Sequence, residues 1–192
     1  SLGEPQHPVP NFVGPVLAKH VNDFGRYPIA KGTEPFRQAA AAWATKRFDL
    51  PKAVDPETEI LVLNGSREGL FFAAIAAASY AGPRNGPPAI LMPNPFYPAY
   101  AAGARASGCE AVFLPTTRDN GFLPDLDSLS AETLERTVAF YLASPANPQG
   151  AVASRAYFDR VKQLADRHGF IVLSDECYSE IYTGEAPGSM LA

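Results

Sequence analysis

The chain has 192 residues, of which 46% are hydrophobic and 19% charged, and its formal net charge is −4. This composition is typical of a globular protein rather than a disordered one. The mild charge gives no electrostatic reason to expect nucleic acid or an anionic membrane as a partner. The longest apolar stretch, residues 70–78, is too short to cross a bilayer, and residues 1–10 lack the pattern of a signal peptide.

The two cysteines, Cys109 and Cys177, form neither a CxxC pair nor a disulfide framework. We expect both to be small buried side chains in a reducing compartment, so the expected location is the cytoplasm. The chain begins at Ser1, directly before a turn-forming Gly-Glu-Pro stretch, and we expect that its natural start has been removed.

Apolar patterning divides the chain into alternating helices and strands. Residues 35–48 begin with a proline suited to a first helical turn and repeat apolar positions at helical spacing. Residues 59–63 (EILVL) form a short apolar run that ends in Asn-Gly, which is typical of a buried strand entering a turn. The other helices are predicted at 67–80, 97–107 and 154–168, and the other strands at 89–92, 111–114, 138–142 and 170–173.

This alternation predicts an α/β fold with a mostly parallel sheet and helices on both faces. In such sheets a ligand lies beyond the carboxyl ends of the strands. Polar clusters follow the predicted strands at that edge, which we call the rim. They are residues 65–67, 94–97, 144–150 and 175–178.

The first rim cluster, Gly65-Ser66-Arg67, is a glycine-containing turn that opens a helix. Free backbone N–H groups and the positive end of the helix dipole favour an anion such as phosphate there. The segment is neither a Walker A loop nor GxGxxG, which argues against a nicotinamide dehydrogenase. An ordinary strand-to-helix turn remains open as the alternative.

Aromatic and amide side chains occupy the next two clusters. Tyr97 could stack on a planar heterocycle, whereas Phe96 is expected to pack in the core. Asn147 stands in a loop with two prolines and could donate through its amide to a ligand oxygen. An Asn-Pro pair is also a common turn former, so a structural role for Asn147 stays open.

Asp175 directly follows a buried apolar strand. A carboxylate there is costly unless it is paired or hydrogen-bonded. Asp175 and Glu176 are conceivable metal ligands, but the sequence offers no HExxH-like spacing and few histidines. We therefore expect no metal, and a cationic ring nitrogen is the better partner for Asp175.

Taken together, these motifs resemble the class I and II aminotransferases of pyridoxal 5′-phosphate (PLP) fold type I. The resemblance runs from Gly3 to Tyr182 and includes residues 27–32 (YPIAKG), 64–68 (NGSRE), 94–100 (NPFYPAY) and 144–150 (SPANPQG), followed by SDECYSEIY at 174–182. Within the family the sequence looks most like the succinyldiaminopimelate transaminases.

The resemblance implies a role for each matching residue. Asp175 would pair with the cofactor's pyridinium nitrogen, Asn147 and Tyr178 would hydrogen-bond its phenolate oxygen, and Tyr97 would stack on its ring. Gly65, Ser66 and Arg67 would hold the phosphate, although the Arg67 guanidinium has a surface acid as its alternative partner.

Further implications of the resemblance concern assembly and substrate. Tyr27 matches a tyrosine that reaches the phosphate across a subunit interface, which implies a homodimer, and Gly3 matches a glycine that meets the substrate carboxylate. The substrates would be an L-amino acid, with glutamate as the expected amino donor, and a 2-oxo acid. The Asn94-Pro95 and Asn147-Pro148 bonds are candidates for cis peptides.

The departure from the family lies in the lysines. The family's Schiff-base lysine follows the Asp motif, whereas Lys19, Lys31, Lys46, Lys52 and Lys162 all precede Asp175. We therefore expect a fragment that is inactive alone, with residues 1–34 as an N-terminal segment and dimer-interface arm and residues 35–192 as a partial PLP-binding large domain that lacks the small domain. A non-catalytic PLP-fold ligand-binding module is the alternative.

Overall fold

The computed structural model describes residues 6–192. The chain opens with helix α1 (Val13–Lys19), a 3-10 turn at Val21–Gly25 and helix α2 (Glu34–Arg47). Within the described chain, α1 buries none of its residues. Helix α2 confirms the prediction for 35–48, but it buries Arg37, Ala41 and Ala44 rather than its aromatic residues.

The centre of the fold is a parallel sheet of four strands in the order β2-β1-β3-β4. The strands are β1 (Ala89–Asn94), β2 (Glu110–Pro115), β3 (Thr137–Ala143) and β4 (Ile171–Asp175). β3 is central and its first six residues are buried, as expected for a continuous apolar run in a parallel sheet. All four carboxyl ends therefore lie at one edge.

Helices cover both faces of this sheet. Helices α3 (Ser66–Ala81) and α4 (Pro98–Ala106) pack on the face that carries Ile90, Met92 and Tyr141. Helices α5 (Ala131–Arg136) and α6 (Arg155–His168) belong to the cluster on the opposite face, which contains the alternate strand residues Leu91, Phe140 and Leu142. The predicted α/β architecture is confirmed.

Glycine permits a close approach between α3 and α4. A Cβ added at Gly103 would lie 2.8 Å from the Phe71 carbonyl oxygen and 2.9 Å from the Ala74 Cβ. No real Cβ tolerates such distances, so the small residue sets the spacing of the two helices. This spacing matters for the rim because the N-termini of both helices lie there.

Two arginines, Arg37 buried and Arg47 partly buried, attach α2 to the rest of the chain. Arg37, 3% exposed, donates to the carbonyl oxygens of Gly32 (2.6 Å) and Pro56 (2.9 Å) and pairs with Glu57. Arg47 donates to the carbonyl oxygens of Ser179 (2.9 Å) and Pro187 (3.2 Å) and pairs with Glu180. The second set fixes the segment that follows β4.

The predicted strand at 59–63 is wrong. These residues form no strand, and no strand of the described sheet pairs with them. Leu61 is 70% and Leu63 51% exposed, so the run is not buried as a whole, although Val62 is half-buried and lies against Gly32. Hydrophobicity alone indicated a strand, but a strand also needs a neighbour to which its backbone can bond.

One smaller expectation, on the cysteines, also needs correction. The aromatic residues Phe36, Trp43 and Phe72 of α2 and α3 are 58%, 48% and 61% exposed. Cys109 is buried as expected, whereas Cys177 is exposed. No helix in the described part of the chain is both long and apolar enough to cross a bilayer.

Candidate functional site

Asp175 ends β4 at the rim and is held by donors from three places. The Tyr100 hydroxyl donates to Asp175 Oδ2 at 2.6 Å, and the Cys177 backbone N–H donates to Oδ1 at 3.3 Å. The Asp175 carbonyl oxygen accepts from the Ser144 backbone N–H at 3.0 Å. The half-buried carboxylate is thus hydrogen-bonded, as the cost of burying it requires.

Tyr100 is the buried partner of this carboxylate. Its side chain is 2% exposed, and its ring stacks on Tyr141 with centroids 4.3 Å apart and an interplanar angle of 10°. Burial and the negative charge of Asp175 raise the pKa of Tyr100 far above its usual value. Tyr100 therefore remains a neutral hydroxyl donor.

Cys177 lies beside the same carboxylate. Partial burial of the thiol and the charge of Asp175 raise the pKa of Cys177 to about 12. A thiol with such a pKa is protonated at neutral pH and is a poor nucleophile. Cys177 is thus no candidate for covalent chemistry.

The N-terminus of α3 presents backbone donors at the rim. Gly65 precedes the helix, and no side chain caps its first turn in the described structure. A Cβ added at Gly65 would lie 2.6 Å from Glu68 Oε2, so the acidic side chain leans over this turn. Uncapped N–H groups at the start of a 16-residue helix fit a phosphate, which would have to displace the Glu68 carboxylate.

Arg67 joins this turn to the aromatic cluster. Its Nε donates to the Tyr97 hydroxyl at 2.8 Å, and this bond raises the pKa of Arg67. The hydrogen-bond partner in the described structure is this tyrosine, and the charge of Glu68 acts on Arg67 as a smaller influence. The Tyr97 ring meets Tyr100 edge-on at 5.9 Å and is itself 38% exposed, so part of its surface is open to a ligand.

The loop after β3 brings Asn147 to Tyr178. Asn147 Nδ2 donates to the Tyr178 hydroxyl at 2.9 Å. The predicted cis bonds at Asn94-Pro95 and Asn147-Pro148 are both present, and Ser144-Pro145 is also cis. The loop is fixed from the side by Gln149, whose Nε2 donates to Thr116 Oγ1 at 2.8 Å.

Two cavities adjoin these groups. Asn147 and Tyr178 line one of about 380 Å³, and Arg67 and Tyr97 line another of about 660 Å³. Asp175 lines neither. Hydrogen bonds and ring contacts nevertheless connect Arg67 to Asp175 through Tyr97 and Tyr100, and Asp175 to the Asn147 loop through Ser144. The contacts, rather than the cavities, show that the predicted residues share one side of the molecule.

In residues 6–192 no hydrogen bond or ring contact joins Tyr27 to these groups. Tyr27 is 96% exposed on the segment before α2, and Gly3 lies outside the described residues. Phe96 packs against Phe113 at 4.9 Å, as expected of a packing residue. Between residues 6 and 192 no group of three or more His, Cys, Asp or Glu side chains is placed to hold a metal ion.

Tyr100 is the site residue to which sequence reasoning gave no role. It lies three positions after Tyr97, which is the spacing that places two side chains on one helix face. That spacing was a usable indication that both tyrosines serve the same cluster. The Asp175 contact itself depends on the crossing of α4 over the sheet, which local sequence does not encode.

Comparison with known proteins identifies the family. The family model for aminotransferase class I and II matches residues 3–190. The LL-diaminopimelate aminotransferase of Dehalococcoides mccartyi is 36% identical over 194 positions, covering 100% of this chain and 48% of that protein. The corresponding enzyme of Aquifex aeolicus is 33% identical, covering 99% and 48%.

Solved structures give the same result. An aminotransferase from Neisseria meningitidis superposes with a TM-score of 0.88 at 38% identity, covering 99% of this chain and 47% of that one. The aminotransferase AspB from Helicobacter pylori has a TM-score of 0.88 at 33% identity, with 99% and 48% covered.

The chain belongs to the class I and II aminotransferases, whose members depend on PLP. It has the fold of their PLP-binding domain and spans about half the length of the curated relatives it matches. The finer resemblance to succinyldiaminopimelate transaminases is not supported, because the relatives carry the name LL-diaminopimelate aminotransferase.

Proposed function

We propose that this chain supplies the cofactor-holding part of a PLP-dependent aminotransferase that moves an amino group from an L-amino acid to a 2-oxo acid. The observation that carries the proposal is the connected set Arg67, Tyr97, Tyr100 and Asp175, which joins an uncapped helix N-terminus to a half-buried carboxylate. An anion site and a carboxylate on one side of the sheet match the phosphate and ring nitrogen of PLP.

Asp175 is the proposed partner of the ring nitrogen. When bound, PLP supplies an electron-poor ring that accepts the electrons of a substrate Cα–H bond. A carboxylate beside the ring nitrogen keeps a proton on that atom, because an opposite charge favours the charged form of the ring. Tyr100 leaves the charge of Asp175 intact, since a neutral hydroxyl hydrogen-bonds without cancelling it.

The other rim clusters would each contact a different part of the cofactor. The backbone N–H groups of Ser66 and Arg67, with the Ser66 hydroxyl, hold the phosphate above Gly65. The Arg67 side chain instead hydrogen-bonds the Tyr97 hydroxyl, and the exposed part of the Tyr97 ring would stack on the cofactor ring. Asn147 and Tyr178, already 2.9 Å apart, both hydrogen-bond the phenolate oxygen.

The lysine needed for covalent attachment is not among the five in this sequence. Lys162, the one nearest in sequence to Asp175, pairs with Asp166 on the exposed side of α6 at 2.5 Å. We propose that the lysine and the small domain belong to further sequence of the parent protein. In this proposal residues 1–34 form an interface arm and residues 35–192 the partial large domain.

A homodimer completes the proposed site. Tyr27 is exposed on its own subunit, which suits a side chain that contributes to the phosphate site of a partner. Gly3 is proposed to meet the substrate carboxylate. The whole protein is proposed to work in the cytoplasm.

Glutamate is the proposed amino donor, and the proposed acceptor is the 2-oxo acid that becomes a diaminopimelate when it receives the amino group. The names of the relatives at 33–36% identity support a substrate of the diaminopimelate class. An assay of the reverse reaction, in which LL-diaminopimelate or its N-succinyl derivative donates the amino group to 2-oxoglutarate, distinguishes the two routes. Turnover of the free diamino acid alone is the result that the relatives favour.

The test of the cofactor site is a PLP titration of the protein made from the complete reading frame that contains residues 1–192. We expect the Asp175→Ala variant to bind PLP at least tenfold more weakly, because a buried charge contact worth at least ~1.4 kcal/mol is lost. The matched control is Asp166→Ala, which removes a carboxylate from the exposed side of α6.

Equal affinity of the Asp175 and Asp166 variants would contradict the role of Asp175. A reading frame that encodes no lysine after Asp175 would defeat the aminotransferase activity while leaving a ligand-binding module. Absence of any PLP binding by the unmodified protein would reject both.

A further inference from the structure

Two donors fix the orientation of the Asp175 carboxylate, and only one of them is a side chain. Oδ1 accepts from the backbone N–H of Cys177 at 3.3 Å, a long bond within the same turn. Oδ2 accepts from the Tyr100 hydroxyl at 2.6 Å, a short bond from a different element, α4. The Tyr100 bond is therefore the stronger constraint, since hydrogen bonds to ionised acceptors are short and strong.

Tyr100 is itself held on the opposite side. Its ring lies parallel to Tyr141 at 4.3 Å, and both side chains are almost fully buried. The Tyr141 hydroxyl donates to the Leu70 carbonyl oxygen, in the helix whose N-terminus forms the proposed phosphate site. A rotation of Tyr100 would break the ring stack and leave a buried hydroxyl without its acceptor, which is costly.

We propose, on the basis of the proposed PLP site, that Tyr100 is a positioning residue: its hydroxyl orients the Asp175 carboxylate toward the cofactor ring nitrogen, and Tyr141 fixes the Tyr100 ring. A carboxylate has about four acceptor positions on two oxygens. With the bonds from Tyr100 and Cys177 in place, the remaining lone pairs keep a defined direction and can meet the ring nitrogen without reorganisation.

A neutral donor suits this task better than a cation. An arginine or lysine at position 100 would pair with Asp175 and weaken its effect on the ring nitrogen. Burial and the neighbouring Asp175 hold the pKa of Tyr100 far above its usual value, so Tyr100 acts as a neutral hydroxyl donor.

Tyr157 provides a matched control. It is a partly buried tyrosine whose pKa is also raised by burial, and its hydroxyl donates at 2.8 Å, but to the backbone carbonyl oxygen of Pro124 on the other face of the sheet. Tyr100→Phe and Tyr157→Phe each remove one hydroxyl that donates a hydrogen bond across the fold. Only the first change touches the ring-nitrogen carboxylate.

The experiment uses the protein made from the complete reading frame and PLP labelled with ¹⁵N in the ring. Its readouts are PLP affinity and the ring-nitrogen ¹⁵N chemical shift. We expect Tyr100→Phe to weaken affinity about tenfold (~1.4 kcal/mol) and to move the shift toward that of Asp175→Ala. Tyr157→Phe should change affinity less than about twofold, ~0.4 kcal/mol, and leave the shift in place.

A double-mutant cycle distinguishes a positioning role of Tyr100 from a general destabilisation of the site. In the Asp175→Ala background, Tyr100→Phe should cause no further loss of affinity, because its effect passes through the carboxylate. If Tyr100→Phe fails to fold, Tyr141→Phe is the second variant, and it should weaken affinity in the same direction by about two- to threefold.

The outcomes distinguish a failure of this inference from a failure of the proposed function. No PLP binding by the unmodified protein rejects the proposed function and this inference with it. If the unmodified protein binds PLP but Tyr100→Phe and Tyr157→Phe have the same PLP affinity and the same ¹⁵N shift, the positioning role of Tyr100 is overturned. The proposed function is then unaffected. Additive losses in the cycle overturn the positioning role as well.

Discussion

The chain contains two regions of contrasting construction. Residues 66–175 form a sheet with buried strands and helices on both faces, and the connected site residues lie on that framework. Residues 6–65 bury little: Phe12, Phe24, Tyr27 and Leu61 are between 67% and 96% exposed. The first region holds its functional groups by packing, whereas the second presents apolar side chains outward.

This difference shows for which of the two regions the roles of residues can be assigned from a single chain. A side chain such as Tyr100 has buried neighbours that define its direction, so its contact with Asp175 is meaningful by itself. An exposed apolar surface of the kind seen in residues 6–65 is characteristic of a face that another part or copy of a protein covers. Roles for that region, such as that of Tyr27, depend on such a partner.

The largest expected difference concerns packing. Phe140 in β3 is 1% exposed, whereas Phe24 in the first region is 75% exposed. Phe140→Ala should lower the free energy of unfolding by about 3 to 5 kcal/mol, because it leaves a cavity in the core. Phe24→Ala should change it by less than about 0.5 kcal/mol. Urea denaturation compares them, and equal losses would abolish the contrast.

Glycine substitutions provide the next contrast. Gly103→Ala should cost about 2 kcal/mol, since a Cβ there meets the Phe71 carbonyl oxygen at 2.8 Å. Gly25, in the first region, has no atom within 4 Å of an added Cβ, so Gly25→Ala should be nearly neutral. Thermal unfolding measures both changes. A neutral Gly103→Ala would show that α3 and α4 are not in close contact.

Arg47 connects the first region to the segment after β4. Arg47→Ala should cost about 2 kcal/mol, because the carbonyl oxygens of Ser179 and Pro187 lose a charged donor. Lys46→Ala is the control: Lys46 lies in the same last turn of α2 but is exposed. If both variants lose the same stability in chemical denaturation, the effect belongs to the helix end rather than to the connection.

Helix caps give the smallest expected difference. Ser154 accepts from the Tyr157 backbone N–H at 3.2 Å, whereas Thr33 makes no side-chain cap bond to the described helix α2. Both helices have 14 residues. Ser154→Ala should cost about 1 kcal/mol and Thr33→Ala a few tenths at most. Hydrogen exchange in the first turn of α6 offers a local readout, and unchanged protection there would contradict the assignment.

Much of the fold was predictable because the sheet is buried on both faces. The runs around Leu91, Phe140 and Val172 are continuous and apolar, and each coincides with a strand. Residues 59–63 have the same pattern but no neighbouring strand. A hydrophobic run shows that a segment prefers burial, and it does not show what will bury it.

The site was predictable to the level of strand ends. The rule that ligands gather beyond parallel strands predicted that Tyr97, Asn147 and Asp175 lie near one another, and contacts connect the segments that carry them. Arg67 contacts Tyr97 although no strand precedes it in the described part of the chain. The partner of the Arg67 guanidinium and the role of Tyr100 were not accessible, since both depend on how α4 crosses the sheet. Such contacts arise from tertiary packing between residues 30 and 75 positions apart.

A single PLP molecule is proposed to join the N-terminus of α3 to Asp175. A crystal structure of the protein with PLP added tests this proposal. We expect the phosphate at the Ser66 and Arg67 backbone N–H groups and the ring nitrogen within hydrogen-bonding distance of an Asp175 carboxylate oxygen. Cofactor density elsewhere, or a phosphate at α3 with the ring directed away from β4, would contradict it.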